Sequence, residues 1–330
     1  MVWITEKSDG NAEIINLLDT SSGPFSIGPS VVGLGNFDGV HLGHQEIVKN
    51  CVYFAKILGA KPVVVSFLPH PVSLIRPESY LGLIESYEDK VNKLLNLGIA
   101  NVISLKFDQA FAKLPAHEFI NLLFKKFNPK KIITGSNFFY GHKKSGNVST
   151  LHLEASTYGF SYTPIQQVFF EGMAISSSLV RDALSKGFIE KVKKLLGDAN
   201  YSLSGTVTKG SQIASSKLEI PTANFAWPAE LFQVKAGVYL SKVYVADNVF
   251  YFGLTHIGHR PSLTENNRVW VETHLFDFKG DLYGVTIKIE LLSFLRPERK
   301  FASLETLKAQ IDADIRLARH LINFGLERVV

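Results

Sequence analysis

Val31-Val32-Gly33-Leu34-Gly35-Asn36-Phe37-Asp38-Gly39-Val40-His41-Leu42-Gly43-His44 decides the fold of this 330-residue chain. A short apolar run, strand-like, ends in a Gly-rich turn. His41 and His44 follow where a helix begins, and residues three apart on a helix share one face. The first turn of a helix offers free backbone N–H groups and a positive dipole end. Two imidazoles at that end, with Gly35, Gly39 and Gly43 letting backbone approach closely, make a phosphate cradle.

Outward from this stretch, strands and helices alternate. His44 to Leu58 reads as a helix, with Ile47, Val48, Cys51, Ala55 and Leu58 on one face and Gly59 as its stop. Lys61 to Phe67 is a continuously apolar strand, as a buried parallel strand would be. Further strands are expected at Asn101 to Leu105, Lys131 to Thr134 and Ser161 to Ile165, with helices at Glu88 to Leu97, Pro115 to Phe127 and Val148 to Tyr158. Such alternation predicts a doubly wound parallel sheet with ligands at the carboxyl ends of its strands. Residues 1–28 are less informative and are read as a possible edge strand.

After Gly187 the period changes. Ile189 to Leu196 reads as a connecting helix and 197–200 as a turn. Short β-rich runs follow at Ser202 to Lys209, Gly237 to Val245, Phe250 to Thr255, Arg268 to Phe276 and Thr286 to Phe294. They predict a small antiparallel barrel. A terminal helix from Ser303 to Phe324 places Leu304, Leu307, Ile311, Ile315, Ala318 and Leu321 on one face. The expected domains are therefore 1–187 and 201–330, joined by a linker at 188–200.

Composition narrows the function. One cysteine, Cys51, excludes an internal disulfide and a Cys-based zinc site, and favours a reducing cytoplasm. The first residues lack a signal-peptide pattern, and no run of about 18 apolar residues suggests a membrane span. Net charge is +5 with a pI near 9.0, which suits anionic ligands. The basic residues are scattered, and Lys191, Lys193 and Lys194 read as a solvated helix face. Nucleic acid ranks well below small molecules as a partner.

His-x-Gly-His after a strand resembles the nucleotidyltransferase signature, and the longer string Gly35 to His44 resembles the bacterial bifunctional riboflavin kinase/FMN adenylyltransferases, or FAD synthetases. The resemblance implies a Rossmann-like nucleotidyltransferase domain followed by a riboflavin kinase β-barrel with a C-terminal helix. Its other motifs recur in order. Phe67-Leu68-Pro69-His70-Pro71 matches the family's Phe-x-Pro-His-Pro, implying flavin contacts from Phe67 and His70. Gly135 to Gly141 matches a motif in which Asn137 binds substrate. Ile175 to Arg181 matches Ile-Ser-Ser-Thr-x-Ile-Arg, where serines cap a helix and Arg181 holds a triphosphate. By resemblance, His41, His44 and Arg181 are catalytic, and Gly35, Phe37, Asp38, Gly43, Ser177 and Ser178 bind ATP.

In the kinase half, Pro221-Thr222-Ala223-Asn224 is intact, and the resemblance gives Thr222 and Asn224 to Mg²⁺ and ATP. The preceding loop departs: Ser215, Ser216 and Glu219 stand where the family has Gly, Arg and Gly. Glu272-Thr273-His274-Leu275-Phe276-Asp277-Phe278 matches a motif whose glutamate is the catalytic base. Strand alternation places Glu272 and His274 on one face and Asp277 on the other. Asp277 and Asp281 read as turn residues. His256 replaces a family Asn near the flavin, and Arg296 matches an arginine that helps bind flavin or nucleotide.

Taken singly, each signal has a plain reading. A lone His-x-x-His is usually surface or core, three serines are usually a cap, and an unplaced Glu is usually exposed. Their order at the ends of predicted strands carries the expectation. That expectation is FAD biosynthesis: riboflavin to FMN, then FMN to FAD with pyrophosphate released, each step using ATP and Mg²⁺. The runner-up is an adenylyltransferase with a kinase-like barrel silenced by its altered loop. A non-catalytic flavin- or RNA-binding protein ranks third.

Overall fold

The computed structural model describes residues 12–15, 27–208, 222–259 and 268–324. It divides into two compact units, the first ending at Ser177 and the second beginning at Ser178.

The first unit carries strands β1 (Ala12–Ile15), β2 (Ser30–Leu34), β3 (Lys61–Leu68), β4 (Asn101–Lys106), β5 (Pro129–Gly135) and β6 (Ser161–Ile165). They form one parallel sheet in the order β1-β4-β3-β2-β5-β6. β1 supplies the edge strand suspected in the amino-terminal segment. Helices α1 (Leu42–Leu58), α2 (Pro71–Ile75), α3 (Tyr87–Asn96), α4 (Gln109–Ala112), α5 (Ala116–Phe127) and α6 (Val148–Tyr158) connect the strands. Alternate strand residues feed two cores. Val32, Val63, Ile103 and Ile132 pack with Phe119, Leu123 and Phe127 of α5. Val31, Val64, Val102 and Ile133 pack with Ile47, Val48 and Cys51 of α1 and Leu94 of α3. Both faces are thus covered, which is why the strands read as continuous apolar runs. A Cβ on Gly33 would sit 2.8 Å from Cys51 Sγ, so this glycine lets α1 lie close on the sheet. Burial pushes the Cys51 thiol up, leaving it an inert core residue.

β2 lies between β3 and β5, and strand order reverses there. Ligand crevices open at such reversals, beyond the carboxyl ends of the strands. Pro115 precedes α5 as its N-cap rather than opening it, and α1 starts at Leu42, before His44. A two-residue hairpin, β7 (Phe169–Phe170) and β8 (Met173–Ala174), went unread in the sequence.

Helices α7 (Ser177–Lys186) and α8 (Ile189–Leu195) precede the sheet of the second unit. That sheet contains β9 (Tyr201–Thr206), β10 (Ala223–Ala226), β11 (Gly237–Ala246), β12 (Val249–His259), β13 (Val269–Leu275) and β14 (Thr286–Pro297). It is antiparallel, ordered β10-β13-β12-β11-β14-β9, and curls until Thr208 bridges Asn224 beside its two edge strands. A Cβ on Gly205 would overlap the Phe225 ring at 2.1 Å, so glycine is what lets that ring fill the interior. On the outer face, Ala318 and Leu321 of α9 (Leu304–Phe324) pack on Val238, Leu240, Leu254 and Phe276. β10 was not anticipated. Asp277 lies beyond β13 in a turn at φ 61°, not on the opposite strand face. The altered residues Ser215, Ser216 and Glu219, with Pro221, lie outside the described residues.

Candidate active sites

The first site grows from the end of β2. Phe37 at φ 53°, Gly39 at 86° and Val40 at 38° turn the chain sharply out of the strand. The Phe37 ring is fully buried, so this residue can offer a ligand its backbone rather than its ring. Asp38 is buried, and its Oδ1 accepts the Ile84 N–H at 2.9 Å. Its carbonyl accepts the Ser177 hydroxyl at 2.9 Å. Asp38 and Ser177 therefore brace the turn.

His41 caps α1, its Nδ1 accepting the His44 N–H at 3.4 Å. The two rings stack with centroids 3.7 Å apart and 16° between planes. A Cβ on Gly43 would stand 3.2 Å from the His41 ring, so the glycine leaves room for it over the helix start. Burial lowers the His41 pKa to about 4, partly countered by Asp38. Burial, then the His41 and Lys90 charges, hold His44 well below the usual imidazole range. Both rings are neutral at pH 7. His44 Nδ1 is buried without a hydrogen-bond partner, and such an atom is a request for a ligand proton or water.

A small cleft beyond β2 and β3 is lined by Asn36, Asp38, Phe67, His70, Glu85 and Lys90, among others. Phe67 belongs to an aromatic cluster with Phe107 and Phe111. His70 caps α2 through Val72 N–H and stacks on Tyr80. Asn137 stands exposed just after β5. Ser178 and Arg181 fall in the second unit, where Ser178 is exposed and the Arg181 guanidinium lies 6.0 Å from the Phe232 ring centre.

The second site is a transverse row. Asn224 pairs with Glu272, Glu272 with His256, His256 with Val238, and Val238 with Arg296. Directly opposed residues in an antiparallel ladder share a face. Five positions, one from each of five strands, thus collect on the outer face. Glu272 and His274 share that face, as alternation requires, while Thr273 points inward. There Thr273, Thr255 and Ser241 link their hydroxyls at 3.0 and 2.7 Å.

Asn224 folds its amide onto Thr222, donating to the carbonyl at 2.9 Å, with Oδ1 3.5 Å from the Thr222 hydroxyl. Two uncharged hard oxygens so placed fit a cation such as Mg²⁺ that also holds phosphates. Arg296 is bound to Asp314 of α9, with contacts of 2.9 and 2.8 Å to Oδ2. His256 Nε2 lies 2.9 Å from Glu298 Oε1. Neither Asp314 nor Glu298 was singled out from the sequence. No signal marked Asp314, and Glu298 lay two residues past Arg296 in a stretch whose resemblance gave a role to the arginine alone.

Comparison with known proteins finds two enzyme families along the chain. An FAD synthetase family model matches residues 26–179, and a riboflavin kinase model matches residues 198–322. A bifunctional riboflavin kinase/FMN adenylyltransferase of Buchnera aphidicola subsp. Acyrthosiphon pisum is 33% identical over 297 residues, covering 89% of this chain and 94% of the relative. The Escherichia coli K12 protein of the same name is 33% identical over 299 residues, covering 90% and 94%. A crystal structure described as a macrolide-efflux protein from Streptococcus pneumoniae is similar at TM-score 0.81 and 28% identity, covering 93% of this chain and 98% of that one. No helix among the described residues here is long and apolar enough to cross a membrane.

Proposed function

Because this chain belongs to the family of bifunctional riboflavin kinase/FMN adenylyltransferases, we propose that the two sites described perform its two steps. Its function is FAD biosynthesis: riboflavin is phosphorylated to FMN, and FMN is adenylylated to FAD. ATP serves both steps. Relatives named as bifunctional enzymes support a working kinase rather than a silenced one. We assign residues 1–187 to adenylyl transfer and 201–330 to the kinase, with 188–200 as linker.

In adenylyl transfer, an FMN phosphate oxygen attacks the α-phosphorus of ATP. One P–O bond forms, the α–β bridging bond breaks, and pyrophosphate leaves. No protein nucleophile is needed, only alignment and charge neutralisation. Neutral His41 and His44 each give one N–H donor at the α1 N-terminus and can take up a proton as the polyphosphate arrives. The resemblance gives Arg181, one turn into α7, the role of a bidentate fork for phosphate. Ser177, Ser178 and the backbone of Gly35, Phe37, Asp38 and Gly43 complete the ATP contacts. Phe67, His70 and Asn137 receive the flavin.

In the kinase step, Glu272 takes the riboflavin 5′-hydroxyl proton as that oxygen attacks the γ-phosphorus and ADP departs. Thr222 and Asn224 would hold Mg²⁺, which neutralises the transferring phosphoryl group. His256 and Arg296 border the flavin. A lone buried thiol, Cys51, suits a reducing cytoplasm.

The observation that carries the site assignment is the stacked, neutral His41–His44 pair at a helix start beyond β2. Chromatographic product analysis with Mg-ATP tests the whole reading. FAD from both riboflavin and FMN is expected. FAD from FMN alone would return the barrel to a non-kinase role.

A further inference from the structure

α3 carries a buried cation that this scheme leaves unused. Lys90 is 7% exposed. Its Nζ donates to the Ser66 hydroxyl at 3.2 Å and reaches the Asn36 carbonyl at 3.5 Å, two neutral acceptors. Ser66 is fully buried near the end of β3 and donates to the same Asn36 carbonyl at 3.1 Å. Asn36 opens the turn that leads from β2 to His41. One ammonium thus joins the ends of the two strands that frame the crevice. Burying a cation on neutral acceptors is a poor source of stability. The residue also lines the cleft shared by Asp38 and His70.

We propose that Lys90 is a positioning residue for adenylyl transfer, holding the Asn36–His44 turn against the end of β3 so that the histidine pair meets the phosphates in a fixed geometry. This rests on the assignment of His41 and His44 to that reaction.

Burial holds the Lys90 pKa below the usual lysine range, and two nearby carboxylates, Asp38 from the turn and Glu85 from the segment before α3, oppose that fall. Glu85 is itself paired with Lys93 at 2.6 Å. Tyr87 lies beneath the ammonium, 5.4 Å from ring centre to Nζ. Facing His44 are His41 from the helix cap and the uncharged Phe37 ring from the turn, and the Lys90 charge on α3 also disfavours its protonation. Burial is the first cause that keeps both imidazoles neutral, and the Lys90 charge adds to it at His44. Lys90 therefore acts on the site through the turn that carries His41 and His44.

The test uses the full chain and three readouts. Lys90→Met is expected to lower kcat for FAD formation from FMN about tenfold or more, with a smaller change in the KM for ATP. FMN formation from riboflavin in the other unit stays unchanged, which reports an intact protein. By NMR, the imidazole resonance of His44, assigned with His44→Asn, titrates at higher pH in Lys90→Met than in the parent. Lys90→Arg keeps the charge, so it retains the low His44 titration and recovers part of kcat. Unchanged kcat in Lys90→Met overturns the proposal. So does lost kcat with an unmoved His44 titration, which marks a merely structural lysine, or equal loss in the Arg and Met variants. If His44→Asn itself leaves FAD formation intact, the underlying site assignment fails instead.

Discussion

His41 and His44 stack ring on ring, 3.7 Å between centroids, with the cap atom of one bound to the backbone N–H of the other. The contact ties the helix start to the chemistry. Substituting His44 removes the imidazole assigned to the phosphates while leaving the His41 cap through the backbone N–H. His44→Ala is expected to keep its fold and lose about a hundredfold or more in FAD formation from FMN. Kinase activity on riboflavin serves as the internal control. Unchanged turnover would remove His44 from the reaction.

The same pair makes the first unit acid-sensitive. His41 has a folded pKa of about 4, and His44 is also depressed, both through burial. Unfolded imidazoles take a proton near pH 6.5. Between these values the unfolded chain binds more protons than the folded one, so stability falls as pH drops from 6.5 toward 4. From His41 alone the expected loss by pH 5 is about 2 kcal/mol. Urea unfolding at pH 7 and pH 5, compared with His41→Asn, measures it. The asparagine keeps a capping oxygen and should flatten the dependence.

Glu272 separates the two reactions. It sits in the row from Asn224 to Arg296 on the second unit's outer face, far in sequence from the histidine pair. Glu272→Gln keeps the size and strand register but cannot accept a proton. FMN formation from riboflavin is expected to fall below detection in initial-rate assays, while FAD formation from added FMN is unaffected. Equal loss of both would refute a two-site enzyme.

The sequence made the first site legible because its parts are local. Gly35 to His44 form one strand, one turn and one helix start, and short-range chemistry fixes their arrangement. Strand alternation likewise placed Glu272 and His274 correctly. What stayed hidden depends on pairing at long range. That Asn224, Glu272, His256 and Arg296 share one row is a matter of register among five strands, which no single segment encodes. Arg296 matched a ligand-binding motif, yet in the fold it grips the buried Asp314 of α9. Phe37 matched too, but its ring belongs to the core. Lys90 was invisible because a lysine in an amphipathic helix reads as solvated until the turn that covers it is in place. β10 is only four residues long, too short for a periodic signal.

By the resemblance His256 stands where the family has Asn, and Gly258 is what permits its contact with Glu298. A Cβ on Gly258 would fall 1.7 Å from Glu298 Oε1 and 3.1 Å from His256 Cε1. The carboxylate therefore occupies the space that any other residue's side chain would claim. Both partners are more than a third exposed, so the pair adds little to stability. Glu298 ends a flexible side chain and can swing away, so Gly258→Ala should leave the melting temperature nearly unchanged while breaking the contact. Its consequence is local. His256 faces Glu272 across the β12–β13 ladder, and a freed imidazole can turn toward the flavin. The riboflavin KM is expected to change about threefold in Gly258→Ala and in Glu298→Gln, with little effect on FAD formation from FMN. His256→Asn restores the family residue and removes the charge partner, so adding Gly258→Ala to it should produce no further change in KM. Additive effects of the two substitutions would show instead that Gly258 matters for its backbone, and that the pair has no part in holding the flavin.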